Sequence, residues 1–140
     1  MVDLAPPGVV KMSEQLNPSH YNGWLVGDFI LSMDLDFFLG NAVKYLSRYR
    51  FKNGLEDLRK CRTYLLRVSD LPSDWREFKF KEHDLLMVDD LARILNLPPL
   101  VKEVIVLICT YAQNGDPALL KNALNRSQNL ITTYGTDNES

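Results

Sequence analysis

The 140-residue sequence lacks the usual signs of a metal site, a membrane span or a secreted fold. Its two cysteines, Cys61 and Cys109, lie inside apolar helical patterns without a CxxC spacing, which argues against structural zinc and predicts core thiols in a reducing compartment. The longest apolar run, Val104 to Cys109, is too short to cross a bilayer. The first thirty residues show no basic flank followed by an apolar core, so we expect no signal peptide and a cytoplasmic protein.

Sequence motifs of several common enzyme classes are also missing. No GxxxxGK[ST] loop is present, which excludes phosphoryl transfer of the ordinary P-loop type, and neither GxSxG nor HExxH occurs. The carboxylate pairs Asp34/Asp36 and Asp89/Asp90 are more typical of helix caps and solvated faces than of a catalytic or metal site. The sequence therefore predicts no metal ligands.

Charge is nearly balanced overall but unevenly distributed. The formal net charge is -2, whereas residues 44–67 contain eight Lys and Arg side chains against Glu56 and Asp57. From residue 71 onward, seven cations face ten acids. A local basic patch on an acidic body favours a compact anionic ligand, and we expect no binding to duplex DNA.

Helical periodicity and weak strand signals predict an all-α fold with five or six helices. The helices are predicted at Trp24–Ser32 (with a strand as the alternative), Phe37–Lys52, Leu55–Val68, Glu82–Leu95, Leu100–Ala112 and Ala118 to about Thr132. Asp36 and Asp116 are predicted N-caps, and Asn53-Gly54 predicts a short turn that makes the second and third helices an antiparallel hairpin.

The same pattern predicts three regions along the chain. Residues 1–16 form a flexible lead-in, residues 17–70 a domain built on the hairpin of about 37–68, and residues 71–140 a C-terminal helical extension. That extension contains two or three helices over about 82–132 and a frayed tail from Gly135, and it follows a linker anchored by Trp75. The many aromatic side chains exceed what so few helices bury alone, so a homo-oligomer is expected.

The helix predicted over Phe37–Lys52 carries a polar stripe beside an apolar face. Its stripe residues follow spacings of three, four and four: Asn41, Lys44, Arg48 and Lys52. Such spacing places one amide and three cations on one side of a helix, a surface suited to phosphate oxygens. Asp57, Lys60 and Tyr64 of the next helix can face this stripe. A solvated basic face explains the spacing equally well.

His20 is the one histidine in a position that favours chemistry. It lies in the Asn17–Gly23 loop, where a turn would orient its ring, and its near-neutral reference pKa suits it to act as an acid, a base or a phosphate donor. A structural role is as probable from spacing alone. His83 lies among charged residues and is interpreted as a surface residue.

Separated motifs in the first half of the chain resemble a small domain family of tailed phages. The motifs are Pro18-Ser19-His20-Tyr21, Gly40-Asn41-x-x-Lys44-Tyr45-x-x-Arg48 with Lys52, and Asp57-Leu58-x-Lys60 with Tyr64, and together they cover about residues 17–68. That family was long catalogued as of unknown function, and it includes a coliphage kinase that phosphorylates deoxynucleoside monophosphates without a P-loop. The family usually has a Glu after its His-Tyr pair, whereas here the acidic residue is Asp28.

The resemblance implies a phosphate site and assigns roles to its residues. Catalysis would involve His20, Arg48 and Asp57, and nucleotide or phosphate binding would involve Tyr21, Asn41, Lys44, Tyr45, Lys52 and Lys60. Asp57 would hold Arg48 or Lys60 in place or, alternatively, meet a metal. Magnesium would accompany the nucleotide if the protein is a kinase.

Three functions remain open from the sequence. The first is a phage nucleotide-binding protein in the host cytoplasm, with nucleoside monophosphate kinase activity as its specific form. The second is a non-catalytic phage binder that sequesters a host nucleotide signal or inhibits a host defence protein. The third is a structural interaction module whose basic stripe only solvates a helix hairpin.

Overall fold

The computed structural model describes residues 23–78 and 84–139, and the prediction of an all-α fold is confirmed. These two ranges contain six α-helices and a 3-10 turn, and no strand occurs in them. The helices are α1 (Gly23–Ser32), α2 (Phe37–Arg48), α3 (Leu55–Asp70), α4 (Leu86–Leu95), α5 (Pro99–Asn114) and α6 (Pro117–Glu139), with the 3-10 turn at Ser73–Trp75 between α3 and α4. The predicted lead-in over residues 1–16 lies outside the described residues.

Helix α2 begins where the sequence predicts but ends earlier. The side chain of Asp36 accepts the backbone N–H of Leu39 at 2.9 Å, which confirms the predicted cap. The chain leaves the helix after Arg48, because the backbone N–H of Gly54 bonds back to the carbonyl of Tyr49 at 2.9 Å and Gly54 takes a φ of +54°. The prediction that this helix continues to Lys52 is therefore wrong, and residues 49–54 form the connecting turn.

Helices α2 and α3 form the predicted antiparallel hairpin. The start of α2 meets the second half of α3 through Phe37 and Tyr64, and its end meets the start of α3 through Arg48 and Asp57. Apolar residues recur at five helically spaced positions of α3; four are buried, and Leu55 at the start is half-buried. The four buried positions are Leu58, Cys61, Leu65 and Val68.

The remaining helices pack around this hairpin. Helix α1 lies against α2, α5 lies against α2, and α6 lies against both α3 and α5. Helix α4 joins α5 to α1. All six helices contribute to one hydrophobic core, so the two halves of the chain bury their apolar faces against each other. The division into domains at residue 70 stays a prediction.

Helix boundaries in the second half differ from prediction in two places. Helix α4 begins at Leu86, where the side chain of Asp84 accepts the backbone N–H of Leu86 at 2.9 Å; residues 82–83 of the predicted helix lie outside the described part of the chain. Helix α6 continues to Glu139, whereas a frayed tail was predicted from Gly135. Just before this extension, α6 packs on the turn after α2, where the Tyr134 ring contacts the Tyr49 ring edge-on at 5.5 Å.

Other predicted helix ends are confirmed. The side chain of Asp116 accepts the backbone N–H of Ala118 at 3.0 Å at the start of α6, with Pro117 as the first helical residue. Helix α4 ends at a left-handed Asn96, and Pro98-Pro99 opens α5. In the portion of the chain that is described, none of the helices combines the length and the apolar character needed to traverse a bilayer.

The two cysteines are predicted to be chemically silent in the folded protein. Cys61 and Cys109 are both fully buried, and burial raises the pKa of each thiol, for Cys109 to about 12. At pH 8 both therefore remain protonated thiols, which are poor nucleophiles. We expect iodoacetamide to modify neither cysteine in native protein and both in urea, as measured by intact mass. Alkylation of the native protein at the same rate as the unfolded protein would contradict this prediction.

Candidate functional site

Three cationic side chains converge on the ring of Tyr45. The Nζ atom of Lys44 lies 4.6 Å from the ring centroid, the guanidinium carbon of Arg48 lies 4.8 Å from it, and the Nζ atom of Lys60 lies 5.6 Å from it. Lys44 and Arg48 share a face of α2, and the hairpin brings Lys60 to them from α3. We call Lys44, Tyr45, Arg48 and Lys60 the cationic cluster. The aromatic ring attracts each cation, but the cations repel one another, so the arrangement favours an added anion.

Asp57 anchors Arg48 from the interior of the hairpin. Its carboxylate is fully buried and accepts from Nε and Nη2 of Arg48 at 3.1 and 3.2 Å. It also accepts from the backbone N–H of Asn53 at 3.3 Å and from the Asn53 side-chain amide at 3.5 Å. Asp57 thus fixes the guanidinium and closes the turn between α2 and α3. The sequence left Arg48, Lys60 or a metal open as its partner, and the structure shows Arg48.

The two lysines of the cationic cluster differ in their partners. Lys60 forms an ion pair with Glu56 one turn earlier at 3.1 Å, and this hydrogen bond is the main cause that raises the pKa of Lys60. Both side chains of that pair are exposed to solvent, so the pair is weak. Lys44 makes no ion pair with a carboxylate in the described ranges of the chain. Its contact is with the Tyr45 ring, and none of the described carboxylates compensates its charge.

An aromatic run extends from the cationic cluster towards the start of α2. The rings of Tyr45 and Tyr64 are stacked, with centroids 5.9 Å apart and planes inclined by 24°. Tyr64 also contacts Phe37 at 5.9 Å and Phe38 at 6.4 Å. Tyr64 therefore faces the aromatic side chains of α2, and its contact with the polar stripe itself stays a prediction.

The structure brings together five of the nine predicted site residues. Those five are Lys44, Tyr45, Arg48, Asp57 and Lys60. Asn41 lies one turn before Lys44, but its amide donates to the carbonyl of Phe37 at 2.7 Å. Lys52 is exposed on the turn rather than on the helix face, since α2 ends at Arg48. His20 and Tyr21 lie outside the described residues, and the role of every site residue stays a prediction.

The described residues around this cluster do not form a metal site. Within residues 23–78 and 84–139, no three His, Cys, Asp or Glu side chains are grouped so that they could hold a metal ion. Asp57 does not fit a metal ligand, because it is fully buried and its oxygens accept from Arg48 and Asn53.

A cleft of about 860 Å³ lies away from the cationic cluster, where both halves of the chain meet. Its walls come from the start of α2, the end of α3, the 3-10 turn and parts of α5 and α6. Trp75 lines it and is 73% exposed, so it does not act as the buried linker anchor that the sequence suggested. Sequence reasoning missed this cleft, because its walls come from segments far apart in the chain and no local pattern joins them.

Arg76 closes one side of this cleft. Its guanidinium donates to the carboxylate of Asp36 and lies over the Tyr111 ring, 5.9 Å from the centroid. Burial lowers the pKa of Arg76. The Asp36–Arg76 pair joins the start of α2 to the segment that follows the 3-10 turn, and so holds the two sides of the cleft together.

Comparison with known proteins finds a sequence-family match over the part of the chain that contains the cationic cluster. Residues 12–66 match the model of a family described as a protein of unknown function, DUF3310. The matched range contains every residue of the cationic cluster, together with His20, Tyr21 and Asp57. It ends within α3, so it does not include α4, α5 or α6. No curated protein and no solved structure matches the chain.

Proposed function

We propose that this chain is a nucleotide-binding protein that holds the phosphates of its ligand on the cationic cluster. One observation carries the proposal: Lys44, Arg48 and Lys60 converge on a single tyrosine ring. Asp57 and Glu56 compensate two of these charges, and Lys44 remains without a carboxylate partner in the described residues. A phosphate oxygen would supply the missing negative charge.

The two kinds of cation would divide the task of binding. The Asp57 carboxylate already fixes the guanidinium of Arg48 at two points, so little side-chain freedom is lost when a ligand binds. Lys44 and Lys60 are compact charges on flexible stems, which suits them to follow a phosphate that changes position. Such an arrangement favours a small phosphorylated ligand over an extended polyanion.

The specific form of this proposal is a deoxynucleoside monophosphate kinase without a P-loop, as the resemblance to the tailed-phage family implies. Phosphoryl transfer depends mainly on positioning and on stabilisation of negative charge, and the cationic cluster would supply both. His20 would be the acid–base residue. Magnesium would enter on the nucleotide phosphates, because the described residues provide no carboxylate group suited to hold it alone.

A non-catalytic nucleotide binder is the second candidate. It is favoured by the position of Asp57, which was predicted to be catalytic but is buried and engaged by Arg48 and Asn53. A carboxylate held in this way is not available as a base to the substrate. In this form the phage protein would retain a host nucleotide signal without converting it.

Neutralising Lys44 tests the proposed phosphate site. We expect Lys44→Gln to weaken binding of deoxynucleoside mono- and diphosphates about tenfold, because one charge-assisted hydrogen bond to phosphate is lost. Lys60→Gln should have a smaller effect in the same direction, since Glu56 already compensates Lys60. Isothermal titration calorimetry measures both. Arg93→Gln is the matched control, because Arg93 is an exposed cation on α4, far along the chain from the cluster.

Two results would contradict the phosphate site. One is a wild-type protein that binds no nucleotide, and the other is equal nucleotide affinity in Lys44→Gln and Arg93→Gln. Incubation with ATP and each deoxynucleoside monophosphate then separates the two candidate functions. Formation of the diphosphate by wild type, reduced in Lys44→Gln, supports the kinase, whereas tight binding with no product supports the non-catalytic binder.

A further inference from the structure

Two large aromatic side chains are exposed in the cleft without being needed for the core. Phe37 is 67% exposed and Trp75 is 73% exposed, and both line the cleft. Exposed aromatic surface beside a concave region is typical of a ligand site. The volume of about 860 Å³ falls within the range of small-molecule pockets.

Phe37 also belongs to the same helix face as the phosphate-binding residues. Phe37, Asn41, Lys44 and Arg48 follow spacings of four, three and four, so they form one stripe along α2. The rise of an α-helix places Phe37 about 10 Å from Lys44 along the axis. The ring contacts from Phe37 to Tyr64 and from Tyr64 to Tyr45 fill this interval with aromatic surface.

The charge of the cleft differs from that of the cationic cluster. Its charged lining residues carry both signs: Asp34, Asp36 and Glu77 against Arg76 and Lys121. Arg76 and Asp36 already pair with each other, so the cleft does not attract an anion as the cluster does. Exposed Ser69 and Ser73 line it as well and offer hydroxyl donors and acceptors. This lining suits a flat, uncharged ring with polar edges.

We infer that the cleft receives the nucleobase of the ligand whose phosphates lie on the cationic cluster, with Phe37 and Trp75 as the stacking surfaces. The inference rests on the proposed function and adds the position of the base. Stacking on an aromatic side chain accepts every base, so the two rings supply affinity. Polar groups such as Ser69, Ser73 and Glu77 would then select among bases by hydrogen bonding at the ring edges.

Comparison of ligands with and without a base tests this inference. Of dADP, dCDP, dGDP and dTDP, the one that wild type binds most tightly is the ligand to use. We expect Phe37→Leu to weaken its binding about tenfold, as loss of one base–aromatic stack predicts, and to leave pyrophosphate binding unchanged. Trp24→Leu is the matched control, since Trp24 is 78% exposed and does not line the cleft. That variant also leaves Trp75 as the single tryptophan, whose fluorescence should respond to the diphosphate and not to pyrophosphate.

The outcomes separate failure of the base site from failure of the phosphate site. The base site is overturned if Phe37→Leu changes neither the diphosphate nor the pyrophosphate affinity, or lowers these two affinities equally. It is also overturned if saturating nucleotide leaves Trp75 emission unchanged. The phosphate site survives those results when pyrophosphate binds wild type and binds Lys44→Gln more weakly. If wild-type protein binds neither pyrophosphate nor any deoxynucleoside diphosphate, both proposals are overturned.

Discussion

Replacement of Asp57 by alanine is expected to lower the free energy of unfolding by about 3 kcal/mol, because it removes the buried carboxylate of an ion pair. The Asp57 carboxylate is fully buried, and four hydrogen bonds from Arg48 and Asn53 end on it. Without it, the guanidinium of Arg48, whose side chain is 21% exposed, loses its fixed partner, and the turn loses the acceptor of the Asn53 backbone N–H. Urea unfolding followed by far-UV circular dichroism measures the change.

A control and a double variant identify the cause of this loss. Glu56→Ala removes the neighbouring carboxylate, which is exposed and pairs with Lys60, and should change the free energy of unfolding by about 0.5 kcal/mol or less. Combining Asp57→Ala with Arg48→Met should cost less than the sum of the two single variants, because the double variant removes both members of the ion pair together. A strictly additive double variant, or equal effects of Asp57→Ala and Glu56→Ala, would contradict the proposed anchor.

Substitution of Gly54 by alanine is expected to destabilise the fold by about 2 kcal/mol through backbone strain at the turn between α2 and α3. Gly54 has φ +54° and ψ −122°, a conformation that residues with a side chain rarely adopt. A Cβ atom there would also lie 2.8 Å from the hydroxyl oxygen of Tyr134, so the Tyr134 side chain would have to move. The shift would also disturb the ring contact between Tyr134 and Tyr49.

Gly27 provides a matched control of opposite sign. It lies in α1 with ordinary helical backbone, and a Cβ atom there would meet no atom within 4 Å. Gly27→Ala should therefore stabilise the protein by about 0.5 to 1 kcal/mol, the difference in helix propensity. Thermal and urea unfolding of both variants should show shifts in opposite directions. Equal shifts would show that the turn does not require a positive φ at residue 54.

The hairpin of α2 and α3 shows how much of the fold local sequence patterns predict. Apolar spacing predicted which faces of α2 and α3 are buried, and the cap at Asp36 was predicted because a carboxylate before an apolar run satisfies free backbone N–H groups. The end of α2 was predicted four residues too late. Helix propensity continues through residues 49–52, but the hydrogen bond from the Gly54 backbone N–H to the Tyr49 carbonyl closes a turn there instead.

The candidate site was predicted in part, for a related reason. The stripe on α2 and the facing position of Asp57, Lys60 and Tyr64 follow from helical periodicity and a hairpin turn. Periodicity does not reveal that Tyr45 is the point of convergence, or that the amide of Asn41 donates to its own helix. Side-chain partners depend on atoms that come from different elements.

The amino-acid sequence alone determined the helical class, the hairpin and the local excess of positive charge on it. Those features depend on contacts between residues a few positions apart, and the spacing of side chains along the sequence predicts such contacts. Tertiary structure decided where α2 stops, how far α6 extends and where the cleft lies. Each of these depends on surfaces from distant segments. Tyr134 of α6 lies against Gly54 in the turn between α2 and α3, and Phe37 lines the cleft together with Trp75. Such packing overrides the helix propensity of the individual segments.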